Sequence, residues 1–335
     1  MDEQPGVRLC NRKDVLLHFR KTVKTPHRIQ PSRAVVCAMD SVIYVVVPGM
    51  SRRKSVFRLR QRVGKYRLER RAERTPLWEK FHATDTVMGV PVVLRIPERQ
   101  LVTRAFLDQF REDSAQIAGV EHPGILQLRD ASLVDGRLLI SSTPGLESLQ
   151  ERLTRRVSVE TAVRLCDQLL DTMVSVHRQR VVHGNLHSDN LILFADGTLR
   201  VAGFALSRAL TQSARRCRGF APRLDPVEVG LAPDSIRWDT HCAARICYRL
   251  LVGRELEEAC EGTISLNAAR RIPVSTLRWL ERATSAQQRG TYHDAGALQR
   301  SWQRVRGETL RLAGASGKRP RTRPRTRPRL RLRAA

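Results

Sequence analysis

From Tyr66 onward the chain is written first for strands and then for helices. Strand-like runs occur at 66–71, 78–83 and 91–96, a helical stretch follows over 103–118, and strands return near 125–130 and 136–141. From residue 148 the apolar period changes. Ala162, Cys166, Leu169, Leu170, Met173 and His177 recur at helical spacing, behind Ser158 as N-cap and Glu160 in the first turn. Later helices fit 237–252, 275–285 and 293–305, the last with Ala295, Leu298, Trp302 and Val305 on one face. Strands followed by helices, rather than alternating with them, predict an α+β arrangement in two lobes.

A chain of 335 residues with 41% hydrophobic content can bury a core of that size. Its formal net charge of +27 is extreme but unevenly placed. The first 75 residues hold 19 Lys/Arg against 6 Asp/Glu, and the last 18 hold 9 Lys/Arg and no acid. The middle keeps a net charge of about +5, so the basicity belongs mainly to the ends. Residues 1–63 read as a basic extension with short strands at 34–38 and 42–47. Within it, Ser51-Arg52-Arg53-Lys54-Ser55 is a basic turn, either a solvated loop or a phosphorylation site. Residues 311–335 read as a disordered Arg/Pro-rich tail, because proline blocks helix and ladder and like charges repel. Its basic run over 318–333 suits contact with nucleic-acid phosphates or an anionic surface, and its lack of aromatics argues against base stacking.

Seven cysteines, at 10, 37, 166, 217, 242, 247 and 260, form no C-x-x-C pair and no zinc spacing. They fit reduced, buried thiols of a cytoplasmic protein. No run approaches the ~20 apolar residues that cross a bilayer. The N-terminus lacks the layout of a signal peptide.

The chemistry concentrates in His183-Gly184-Asn185-Leu186-His187-Ser188-Asp189-Asn190, followed by an apolar strand and Gly203-Phe204-Ala205. With the strands and helices above, this stretch resembles the catalytic and metal-binding loops of bacterial serine/threonine protein kinases. The resemblance runs from Tyr66 to about Val305 and implies a two-lobed kinase-like fold: a β-rich N-lobe with one helix over 64–146 and a helical C-lobe over 147–310. His122-Pro123, Asp239 at the start of a long helix and Tyr248-Arg249-Leu250-Leu251-Val252-Gly253-Arg254 at its end match architectural positions of that family.

The same resemblance implies a degenerate active site. Asn185 stands at the position of the catalytic Asp. An amide cannot take the proton of an attacking hydroxyl, and losing such a base costs on the order of 10²–10⁴ in rate. Gly203, thirteen residues past Asn190, stands at the position of the Mg²⁺-binding Asp and offers neither charge nor side-chain oxygen. His187 replaces the lysine beside the transferred phosphate, and Gly184 replaces the arginine that clamps a phosphorylated activation loop. The phosphate-cradling loop contains no glycine, and Glu73, Thr75 and Trp78 fall at the glycine positions. Arg95 takes the place of the nucleotide-anchoring lysine, with Asp113 as its expected partner on the helix. Arg95, Asp113 and Asn190 are the candidates for a residual nucleotide pocket, and Lys80 is expected to point into it. In Gly219-Phe220-Ala221-Pro222-Arg223, which matches the end of the activation segment, Arg223 replaces a glutamate.

The resemblance therefore implies a pseudokinase, a regulatory or scaffolding module for a protein partner, with no cofactor and no metal site. One alternative is a weakly active or atypical phosphotransferase using ATP and Mg²⁺. Small-molecule phosphotransferases such as the aminoglycoside kinases share the His-Gly-Asn-Leu-His frame, with Asp where this chain has Asn185 and Gly203. A third reading is a nucleic-acid or anionic-surface binder acting through the basic ends.

Overall fold

The computed structural model describes residues 55–75, 77–206, 208–210, 213, 235–253, 272–284 and 292–317, with side chains to 313, and the backbone of strands at 35–39, 42–46 and 220–224. The first lobe is a six-stranded antiparallel sheet in the order β3-β4-β5-β6-β8-β7. Its strands are β3 (Arg62–Val63), β4 (Tyr66–Arg74), β5 (Trp78–Asp85), β6 (Val90–Pro97), β7 (Leu128–Val134) and β8 (Arg137–Ser142). Period-two alternation sorts their side chains. Tyr66, Leu68, Phe81, Ala83, Val92, Leu94 and Leu139 build a core on one face. Leu138 and Ile140 turn to the other face, where they meet α1 (Arg104–Ala118). Thr103 caps α1 by accepting from the Phe106 N–H, and Phe106, Phe110, Asp113 and Ile117 form its buried stripe.

The sheet lobe begins earlier than residue 64. Phe57 is buried in the sheet core, with its ring edge-on to Phe81 at 5.9 Å, and Val63 pairs with Tyr66. An aromatic anchor and two ladder residues thus bring the segment from Ser55 into the lobe. Arg52, Arg53 and Lys54 of the basic turn lie outside the described residues. Strands β1 (Val35–Met39) and β2 (Val42–Val46) pair antiparallel, and β2 also pairs with β12 (Phe220–Leu224), the segment matched to the activation-segment end. The Arg223 side chain lies outside the described residues.

The second lobe is helical. Ser148 and Glu151 form a reciprocal capping box at α2 (Leu149–Leu153). Ser158 caps α3 (Val159–Arg178) by accepting from the Thr161 N–H. The buried face of α3 packs against α4 (Ile236–Val252) and α6 (Ala295–Gly317), with α5 (Val274–Thr284) beside them. A small sheet of β9 (Glu147–Ser148), β10 (Leu191–Leu193) and β11 (Leu199–Val201) carries the loop between the lobes.

Helix α6 runs to Gly317, past the expected end at 305 and past the expected start of the disordered tail at 311. It continues because its inner face continues. Thr309 is fully buried and shares a 2.7 Å hydrogen bond with Thr276 of α5, and Ala313 is also buried. Residues 318–335 lie outside the described residues.

Trp302 is fully buried, 4.9 Å from the Trp279 ring, and its indole N–H donates to Asp167 at 2.7 Å. Trp302→Ala should lower the unfolding free energy by roughly 3–5 kcal/mol, read from urea denaturation.

Candidate functional site

The loop at 183–190 is suspended from one carboxylate. Asp239, in the first turn of α4, is completely buried. Its two oxygens accept from the backbone N–H groups of His183 at 2.6 Å and Gly184 at 2.9 Å. His177 of α3 stands 3.6 Å from the same carboxylate, while its Nδ1 accepts from the N–H of Ala295 at the start of α6. The His183 imidazole accepts from the Asn185 N–H at Nδ1 (3.2 Å) and donates from Nε2 to the Ala202 carbonyl (3.0 Å). Both nitrogens are used by a neutral ring, and burial pushes its pKa down. Phe204 lies edge-on to it at 4.6 Å. Gly184 has φ +74°, a left-handed backbone that favours glycine where the family carries arginine.

Asn190 is the hub of the cleft floor. Its Oδ1 accepts from Arg95 Nη2 at 3.1 Å, and its Nδ2 donates to the Asn185 carbonyl at 3.1 Å and to His187 Nε2 at 3.0 Å. Its backbone carbonyl accepts from the Ala202 N–H. Gly203 closes over this hub with φ +93°, and a Cβ there would lie 3.1–3.2 Å from the Asn190 carboxamide. A side chain at 203 would be strained by the backbone and crowded by Asn190.

These residues do not fit the Mg²⁺ site that the alternative reading, an atypical phosphotransferase, requires. Gly203 supplies no side-chain oxygen, and the Asn190 Oδ1 already accepts from a guanidinium. Among the described residues, no group of three or more His, Cys, Asp or Glu side chains could hold a metal ion.

A row of charges crosses the sheet above the hub. The register places Glu73 opposite Lys80 and Lys80 opposite Arg95, so all three share one line across β4, β5 and β6. Lys80 Nζ is 3.7 Å from Glu73 Oε2. Burial, and then the Arg95 charge, lower the Lys80 pKa, with Glu73 opposing. Burial likewise pushes Arg95 down. Burial works to raise the Asp189 pKa, but the His187 imidazole 3.6 Å away and the charges of Lys80 and Arg249 outweigh it and lower the pKa.

The turn between β4 and β5 closes without glycine. Thr75 donates its N–H to the Trp78 carbonyl, and its hydroxyl accepts from the N–H groups of Leu77 and Trp78. Trp78 is buried in one cluster with Leu77, Phe106, Phe110, Leu206 and Leu210.

The structure brings Asn185, His187, Asn190, Gly203 and Arg95 together and leaves Asp113 apart. Arg95 and Asp113 do not form the expected pair. Asp113 accepts from Arg208 Nη1 at 2.8 Å and from Gln109 at 3.0 Å. It shares the stripe of Phe106 and Phe110, and that stripe faces the segment carrying Ala205, Leu206, Ala209 and Leu210. Arg208 therefore reaches it, and Arg95 turns to Asn190. No local signal in the sequence marks Arg208 as a partner. Arg249 was legible only as a helix-end residue. Its Nη1 donates to Ser188 Oγ at 2.9 Å and to Gln150, and Ser188 donates to Gln150 at 2.7 Å, pinning the loop to α2.

Asp239→Ala would leave two buried N–H groups without their acceptor and should cost about 3 kcal/mol in urea denaturation. His241 is held at about 4 by burial and Arg245, so the unfolded chain binds more protons between that value and the ordinary 6.5. Stability should therefore fall as pH drops through this window, and His241→Phe should flatten the decline in urea midpoint.

A family model described as protein tyrosine and serine/threonine kinase matches residues 79–227. The probable serine/threonine-protein kinase PknB of Bifidobacterium longum is 26% identical over 214 residues, which cover 57% of this chain and 30% of that protein. The probable kinase pknA2 of the same organism is 23% identical over 202 residues, which cover 57% of this chain and 27% of that protein. The chain thus spans less than a third of the length of these two relatives. Among solved structures, the Mycobacterium tuberculosis PknI kinase domain superposes with a TM-score of 0.53 at 16% identity, over 74% of this chain and all of that one. At that identity the likeness speaks for the fold: a curled antiparallel sheet lobe on a helical lobe.

Proposed function

We propose that the chain carries a protein-kinase domain that acts as a pseudokinase: a catalytically impaired regulatory or scaffolding module that engages a protein partner in the cytoplasm. The observation that carries this reading is the hub at Asn190. In place of a metal-binding carboxylate there is a glycine against which the Asn190 carboxamide packs, and that carboxamide is tied to Arg95, Asn185 and His187. A neutral amide at 185 cannot serve as base. The glycine-free turn, with Glu73 and Trp78 turned inward, supports weak or absent binding of ATP and Mg²⁺.

What remains is a pinned scaffold. The bonds from Asp239, Arg249 and His183 hold the loop in shape through the chain's own groups. Such a module acts through its surfaces, and its partner is a protein that reads the two-lobed shape.

A second reading has one observation in its favour. Lys80 and Arg95 lie side by side near His187, and two cations could neutralise phosphate without the usual metal. The domain would then be an atypical phosphotransferase.

The two readings differ in the test tube. Melting of the full chain should not change with ATP and Mg²⁺ or Mn²⁺, and labelled ATP should yield no phosphate transfer. A stabilisation of several degrees, or transfer that disappears in Arg95→Ala, would sink the pseudokinase reading. Restoring both carboxylates with Asn185→Asp and Gly203→Asp should not rescue transfer. It should lower the melting temperature, because strain at a left-handed position costs about 1–3 kcal/mol.

A further inference from the structure

The outer edge of the strand lobe carries a charge pattern that a kinase-like module does not need. The segment from Ser55 to Val63 runs along β4. Arg60 donates its N–H to the Leu68 carbonyl, Leu68 donates back to Gln61, and Arg71 donates to the Phe57 carbonyl. Val63, Tyr66 and Leu68 point into the core, so Arg58, Arg60, Arg62, Arg67 and Arg70 are left exposed around this edge. Glu69 answers Arg67, and Glu79 answers Arg71 and Arg74. Among the described residues, no carboxylate lies within ion-pair distance of Arg58, Arg60, Arg62 or Arg70.

Two features exclude the simplest account. Charge on an edge strand prevents edge-to-edge pairing, and either sign would do. Here Arg62 stands directly opposite Arg67 across the ladder, a like-charge pairing that costs stability. Two aliphatic side chains also project beside the arginines: Val56 is 67% exposed and Leu59 is 54% exposed. Arg60 sits between them and the ladder at φ +64°, an uncommon backbone for a side chain of this size.

We propose that this edge of the lobe docks on an anionic lipid surface. The arginines take up phosphate and carboxylate oxygens of the headgroups, and Val56 and Leu59 enter the headgroup layer. Arginine and aliphatic residues together suit such an interface, where charge attracts and apolar area anchors. A nucleic-acid strand would gain nothing from Val56 and Leu59, and among the described residues the edge offers no exposed aromatic ring for base stacking. The contact is peripheral: among the described residues, no helix is long and apolar enough to cross a membrane.

The test is co-sedimentation of the full chain with phosphatidylcholine vesicles, with and without phosphatidylserine. Binding should require phosphatidylserine and should be released by salt. One arginine near such a surface contributes about a factor of five, so the triple variant Arg58→Gln/Arg60→Gln/Arg62→Gln should bind on the order of 100-fold more weakly. Val56→Ser/Leu59→Ser should weaken vesicle binding and leave binding to duplex DNA unchanged. All five side chains are exposed, and melting curves should match the parent. Absence of phosphatidylserine-dependent binding would overturn the proposal. So would an unaltered triple variant, which would assign vesicle binding to the 318–333 tail. Loss of DNA binding without loss of vesicle binding would make the edge a nucleic-acid surface instead.

Discussion

The loop that carries the candidate site has almost no regular structure of its own, so its shape depends on the Asp239 carboxylate. A buried charge is tolerated only when its lone pairs are filled. Two backbone N–H groups, from His183 and Gly184, fill them, with His177 close by. The carboxylate thereby ties the start of α4 to the loop, and through His177 and Ala295 to the ends of α3 and α6. These helices enclose the core of the second lobe, so loop position and lobe packing are one problem. This bond set is independent of whether position 185 is an acid or an amide, because it uses backbone groups. A chain can therefore change the chemistry of the loop without losing its architecture.

The hub at Asn190 joins the two lobes through side-chain hydrogen bonds. Arg95 would be a costly charge on the sheet wall, beside Lys80, without an acceptor. Asn190 supplies one, and Glu73 supplies a counter-charge one strand beyond Lys80. His187 accepts from the same carboxamide that bonds Arg95, so the two lobes meet through a chain of neutral and charged hydrogen bonds. Such a chain stabilises only when complete, since each broken link leaves a buried polar group behind. Arg95, His187, Asn190 and Gly203 thus form one cooperative set.

Much of the architecture was legible from periodicity and caps. Ser158 and the apolar stripe of α3, the strands at 66–97 and the stripe of α1 follow from local rules and appear where those rules put them. The ends of elements were less legible. Helix α6 extends because Thr309 and Ala313 find buried partners, which only the fold provides. Phe57 joined the first lobe for the same reason. Within the site, sequence placed Asn185, His187 and Asn190 in one contiguous stretch with Gly203 thirteen residues on, and the fold brings these four together. It misassigned the partner of Arg95, because a long forked side chain has several acceptors in reach and the choice depends on how α1 is placed. Arg208, ninety-five residues from Asp113, left no local trace.

The charge distribution separates two kinds of basic residue that composition cannot tell apart. Lys80 and Arg95 sit inside, each with a specific oxygen partner, and their cost is met by Glu73, Asp189 and Asn190. The arginines of the 55–70 edge sit outside, and among the described residues Arg58, Arg60, Arg62 and Arg70 have no carboxylate in ion-pair reach. Inward charges that are paired fix a conformation. Outward charges without a nearby carboxylate, and like charges such as Arg62 and Arg67 that stand opposite each other across a ladder, raise the local positive potential. On the docking proposed above, that potential is what draws the edge toward an anionic surface.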